Sequence, residues 1–142
     1  MSHSAKQITY FERLQVGSQN LQVTPAGAEI TLGATESGET ILLNSTSGSA
    51  VALPVATSGM KFDFIVSALG DHVITAPEDT IYGSISASIS ATDGSALLTS
   101  DGTTTISTTE GSALGDSFTL VSDGTNYFVS GTAKDFNGVV FA

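Results

Sequence analysis

Two histidines, His3 and His72, and fourteen carboxylates are the groups with which this chain can do acid–base work. A Ser-His-Asp triad needs an imidazole held by a carboxylate. His3 stands near the terminus and reads as solvated. His72, in Gly70-Asp71-His72-Val73-Ile74, stands where a turn enters a strand and reads as a polar strand end. The densest carboxylate pair is Glu78-Asp79, just after Pro77, and with His72 it is the best hydrolytic set on offer. Paired carboxylates are what glycoside cleavage requires. Sugar sites also lean on aromatic platforms, however, and the chain has no tryptophan and only the tyrosines Tyr10, Tyr82 and Tyr127. The same shortage counts against a carbohydrate-binding module. Catalytic zinc draws on two or three His or Cys ligands, and there is no cysteine. Calcium needs several oxygens grouped closely. Asp93-Gly94, Asp101-Gly102 and Asp123-Gly124 each offer one carboxylate, without the Asp-x-Asp-x-Asp-Gly spacing of a calcium loop. No Gly-rich phosphate loop precedes a helix. The expectation is therefore no catalytic residue, no metal and no cofactor: a protein that is not an enzyme.

Composition narrows the partners. Lys6, Arg13, Lys61 and Lys134 are the only basic residues against fourteen acids, a net charge of −10. Phosphate backbones and anionic membranes repel such a surface, so neither nucleic acid nor membrane is an expected partner. No apolar run reaches the ~18 residues that span a bilayer. Nor does one follow the positive charge near the N-terminus, so no signal peptide is read there. The expectation is a soluble chain made in a cytoplasm. Without disulfides, stability must come from packing or oligomerisation. At 142 residues the chain suits one domain.

The elements that must position these groups read as strands. Residues 1–27 stand apart, with two of the basic residues, the apolar set Ile8, Tyr10, Phe11, Leu14 and Val16, and then Gly17, Pro25 and Gly27. They read as an extended N-terminal arm, with a short amphipathic helix over 6–15 as the alternative. From Ala28 onward, short runs rich in Ile, Val, Leu, Phe and Thr alternate with Gly, Asp, Ser and Pro clusters. The fold class expected for 28–142 is all-β: a compact sandwich or barrel-like domain of short antiparallel strands and Asp-Gly hairpins. Over Met60 to Ser67, Met60, Phe62, Phe64 and Val66 share a face read as core, while Lys61 and Asp63 are placed to pair on the other. From Ile81 to Ala91 the odd positions are apolar or small and the even ones after Tyr82 are serine. That hydroxyl face suits water or another copy of the chain equally.

Asp-Gly pairs favour type I′ turns, which need positive φ at both central residues. Centred on Asp123-Gly124, such a turn sets Leu120 opposite Tyr127 and Phe118 opposite Val129, gathering all four on one face. At Asp101-Gly102 it sets Leu97 opposite Ile106 and Thr99 opposite Thr104. At Asp93-Gly94 it sets Ile89 opposite Leu98 and Ala91 opposite Ala96. The last two hairpins together predict a meander sharing the strand 95–100.

The order of several phrases carries a family resemblance. Ser37-Gly38-Glu39-Thr40-Ile41-Leu42-Leu43-Asn44, Val51-Ala52-Leu53-Pro54 and Gly59-Met60-Lys61-Phe62-Asp63-Phe64-Ile65-Val66 come first. His72-Val73-Ile74-Thr75-Ala76, Thr80-Ile81-Tyr82-Gly83 and Ser122-Asp123-Gly124-Thr125-Asn126-Tyr127-Phe128-Val129-Ser130-Gly131 follow. Over roughly Ile30 to Gly131 this order resembles the head decoration, or capsid cementing, proteins of tailed bacteriophages; related phrases occur in phage fibre and tail proteins. The resemblance implies a β-rich virion structural protein, commonly a homotrimer. Such a protein sits on the outer capsid surface and bridges subunits of the major capsid protein. Some members order an N-terminal arm against the shell, which makes Lys6, Ile8, Tyr10, Phe11, Arg13 and Leu14 the capsid-contacting candidates. The other reading is a fibre or tail component that recognises a host surface.

Overall fold

The computed structural model describes residues 21–23, 29–90 and 92–142. The strands among them are β1 (Leu21–Val23), β2 (Glu29–Thr31), β3 (Thr40–Leu43), β4 (Ala50–Ala52), β5 (Lys61–Val66) and β6 (Val73–Thr75). After these come β7 (Ile81–Ser90), β8 (Gly94–Thr103), β9 (Thr105–Thr108), β10 (Ser117–Ser122), β11 (Tyr127–Ala133) and β12 (Val139–Phe141). They form a larger sheet in the order β1-β3-β5-β10-β11-β7-β8 and a smaller one in the order β12-β9-β6-β4-β2. The two sheets pack over one apolar core, so the chain is an all-β sandwich. Of the expected arm only Leu21–Val23 is described, as β1 at the edge of the larger sheet. Lys6, Ile8, Tyr10, Phe11, Arg13, Leu14 and the alternative helix lie outside the described residues.

The first half of the chain is a flattened coil. Successive strands alternate between the sheets, so that β1, β3 and β5 lie parallel in one while β2, β4 and β6 lie parallel in the other. Each strand meets the one 19 to 23 residues later: Leu21 faces Thr40, Glu29 faces Ala50, Thr40 faces Asp63 and Ala50 faces Val73. The sequence supports this by presenting an apolar pair at each turn of the coil. Leu32, Leu53 and Ala76 follow β2, β4 and β6 and are buried, as are Ile41 and Leu43 beneath Phe64 and Val66. Stacking is how such coils bury a face that one turn alone leaves open. The antiparallel character expected throughout therefore holds for only five of the ten pairings described.

The second half closes the sandwich with two hairpins. β7 and β8 pair antiparallel at the far edge of the larger sheet. The β10–β11 hairpin then enters between β5 and β7, pairing antiparallel with β5 and parallel with β7. The β11–β7 contact depends on Gly83, held at φ 126, where an added Cβ would collide with the Val129 carbonyl.

Hairpin registers differ from those expected of type I′ turns. Among the described residues no non-glycine has positive φ, so Asp123 does not occupy such a centre. Asp123 to Asn126 form a four-residue loop instead, with the Asp123 N–H donating to the Asn126 carbonyl at 3.2 Å. Ser122 faces Tyr127, Leu120 faces Val129 and Phe118 faces Gly131. The offset is two residues, and because side chains alternate with period two the predicted set Phe118, Leu120, Tyr127 and Val129 stays together in the core. The β7–β8 hairpin also forms, but Ile85 faces Leu98 and Ala87 faces Ala96, since Asp93 ends the turn and Gly94 already belongs to β8. Asp101-Gly102 makes no hairpin. It lies inside β8, where the register shifts and Gly102 sits at φ 81, and β9 then crosses to the other sheet to pair Ile106 with Ile74. A left-handed glycine serves a bulge as well as a turn. The predicted meander is replaced by that crossing.

The predicted core of β5 is borne out. Met60, Phe62, Phe64 and Val66 are buried, and Phe64 stacks on Phe118 with ring centroids 5.7 Å apart.

Candidate functional site

The chemistry-bearing residues are dispersed by this fold. His72 is fully buried at the start of β6. Its Nε2 lies 2.9 Å from the Ala68 carbonyl, which only accepts, so Nε2 carries the hydrogen. The backbone around it is tied to Thr108, whose Oγ1 accepts from the His72 N–H at 2.9 Å and donates to the Gly70 carbonyl at 2.8 Å. Nδ1 has no partner. Glu78 and Asp79 follow the other end of β6, so the full length of that strand separates them from His72. Asp79 accepts a hydrogen bond from the Thr104 hydroxyl. Glu78 lines a hollow of about 90 Å³ with Val55, Ala56, Pro77, Thr80 and Thr125. A cleft of about 350 Å³ at the other end is bordered by Asp71 and Glu110 with Thr46, Ser47 and Thr109. No group of three or more His, Cys, Asp or Glu placed to hold a metal occurs among the described residues.

Several carboxylates hold the backbone. The Asp123 carboxylate accepts from the Asn126 and Thr125 N–H groups, each at 2.8 Å, and these bonds hold it below the usual carboxylate range. Glu36 is lowered in the same way by the Gly33 N–H, with help from Thr35. Asp116 is buried and joins two segments, accepting from the Ala113 N–H and the Lys134 N–H at 2.8 Å each. Sequence reading did not single out Asp116. Its signal is weak: an acid before a strand, followed by apolar alternation.

What the fold does assemble is a broad, charge-poor face. On the outer side of the larger sheet, strand register lines up Lys61, Val121, Phe128, Tyr82 and Asp101 in one row across β5, β10, β11, β7 and β8. The next row is Thr40, Asp63, Thr119, Ser130, Ser84 and Thr99. The third is Leu42, Ile65, Ser117, Thr132, Ser86 and Leu97, hydroxyls at its centre and apolar residues at its ends. Val121 is 42% exposed and Phe128 45%, and the Phe128 ring lies 6.5 Å from that of Tyr82. Only two acids stand in these rows, and one is neutralised locally. Asp63 lies 3.8 Å from Lys61 Nζ and accepts the Thr119 hydroxyl at 2.5 Å, the ion pair that the alternation in β5 predicted. An aromatic strip thus borders rows of hydroxyls, which satisfy themselves against water or a polar surface without the cost of burying charge. At strand and residue spacings six strands and three rows, each given its own breadth, cover roughly 29 by 20 Å, on the order of 500 Å².

The comparisons add no relative. No protein family, curated protein or solved structure matches this chain.

Proposed function

We propose that this chain is a virion structural protein that decorates the outer surface of an icosahedral phage capsid and bridges subunits of the major capsid protein. The observation that carries the reading is the broad, charge-poor outer face of the larger sheet, on a molecule whose net charge is −10. The order of sequence phrases set out above supports it. A face on the order of 500 Å² is smaller than the ~800 Å² per partner of a stable interface. One contact of that size is weak, and a repeating lattice turns many of them into firm attachment. The segment 1–27, with Lys6, Ile8, Tyr10, Phe11, Arg13 and Leu14, supplies the second contact, adding basic and apolar groups to an otherwise acidic chain.

The test is to titrate the purified protein onto expanded, undecorated capsids of the phage that encodes it. Saturable binding is expected, weakened about tenfold by Phe128→Asp, in line with losing one central aromatic contact. Deleting residues 2–16 is expected to leave a folded protein with weakened attachment. Absence of saturable binding overturns the proposal. Copy number in the virion separates it from the fibre or tail reading: hundreds of copies fit decoration, a handful fits a fibre.

A further inference from the structure

β8 is an unusual edge. The other strands at sheet edges, β1, β2 and β12, have three residues each, whereas β8 has ten and, among the described residues, pairs with β7 alone. Long open edges recruit other strands, and proteins commonly block them with lysine, proline or inward charge. Between Asp93 and Asp101, β8 has none of these: Gly94-Ser95-Ala96-Leu97-Leu98-Thr99-Ser100 is wholly uncharged. Its apolar flank is open on the outer side and only partly covered on the inner, where Leu98 packs against the core. Leu97 is 62% exposed on the outer face, Ile89 on the facing strand is 46% exposed, and Ala96 and Leu98 are only half-buried on the inner face.

We propose that β8 pairs antiparallel with β8 of a second copy, about a twofold axis at Ala96, joining the two larger sheets into one. This rests on β8 alone and not on the capsid reading. The occupant follows from the seam itself: 94–100 carries no charge, so a second copy brings none to be buried there and offers a matching row of N–H and C=O groups. The register follows from charge. A twofold at Leu97 sets Asp93 of each copy against Asp101 of the other, and like charges directly opposite are unfavourable. A twofold at Ala96 avoids that clash, places Leu97 opposite Ser95 and Leu98 opposite Gly94, and leaves the bulge at Gly102 outside the paired segment. Seven residues extend about 24 Å, an edge that buries on the order of 400 Å² per copy, so the dimer is weak and forms at high concentration.

The chain has no cysteine, so a single introduced thiol reports unambiguously. Directly opposed residues in an antiparallel pair have Cα atoms about 4.5–5.5 Å apart, within reach of a disulfide. Under mild oxidation Ala96→Cys is expected to form a covalent dimer at least about tenfold faster than Leu97→Cys or a Ser130→Cys control in the middle of the sheet. Sedimentation of the unmodified chain up to ~500 µM is expected to show a dimer or a multiple of it. Leu97→Lys is expected to abolish that association with circular dichroism and melting temperature unchanged. Crosslinking of Ala96→Cys no faster than of Ser130→Cys, crosslinking fastest at Leu97→Cys, a monomer or trimer at that concentration, or association insensitive to Leu97→Lys overturns the proposal.

Discussion

Tyr127 shows how one side chain binds the two halves of the fold. Its ring is fully buried, and its hydroxyl donates to the Pro54 carbonyl at 2.6 Å. Burial pushes the phenol up from 10.0 to about 12. Because the folded value lies above the unfolded one, the hydroxyl's contribution is complete below pH 10 and is lost as pH rises toward 12. Denaturant titrations are expected to show stability falling across that window, with a shallower fall in Tyr127→Phe. At neutral pH that variant loses about 1–2 kcal/mol, since the Pro54 carbonyl loses its donor. Asp116 is the second residue of this kind. Replacing it with Ala leaves the Ala113 and Lys134 N–H groups, which are only partly screened from water, without their acceptor, and a loss of about 1–3 kcal/mol is expected by urea unfolding, with Asp116→Asn losing less. Tyr127 was legible in the sequence through its place in an alternating apolar set. Asp116 was not, because a carboxylate that serves the backbone of a distant segment has no local pattern. His72 was read as a polar strand end; it does stand just before β6, but as a fully buried ring whose Nε2 donates to the Ala68 carbonyl, and burial of that kind has no local pattern.

For the strands, alternation was the reliable signal and turn chemistry was not. β5, β7 and the β10–β11 face were readable because period-two burial survives an error of two or four residues in register. Asp-Gly was misleading because the glycine alone takes the left-handed conformation here, as a bulge at Gly102 and in a loop at Gly124. Glycines also differ in what they do, and two substitutions separate strain from collision. Gly38 sits at φ 93 with open space around a would-be Cβ, so Gly38→Ala is expected to cost only the conformational penalty of about 1–2 kcal/mol. Gly83 combines φ 126 with a collision against β11, so Gly83→Ala is expected to cost about 3 kcal/mol or more. Thermal melts of the pair test the order, and equal losses would mean that the β7–β11 contact yields easily.

Across the molecule, the sandwich class was legible from strand density, but the coil of the first half was not. Its repeat of 19 to 23 residues preserves only an apolar pair per turn, while the loops between vary in length and composition, so no phrase recurs for the eye to catch. A net charge of −10 on 142 residues also strains the compact state through self-repulsion. Raising salt from about 10 to 500 mM shortens the screening length from about 30 Å to under 5 Å, and the melting temperature is expected to rise by several degrees. The entry of β10 and β11 between β5 and β7 bears on synthesis. Within residues 21–116, β5 and β7 each keep an unpaired flank that residues 117–133 must join. A chain cut before Ser117 exposes both flanks at once, so that truncation is expected to aggregate on expression where a chain that includes 117–133 does not.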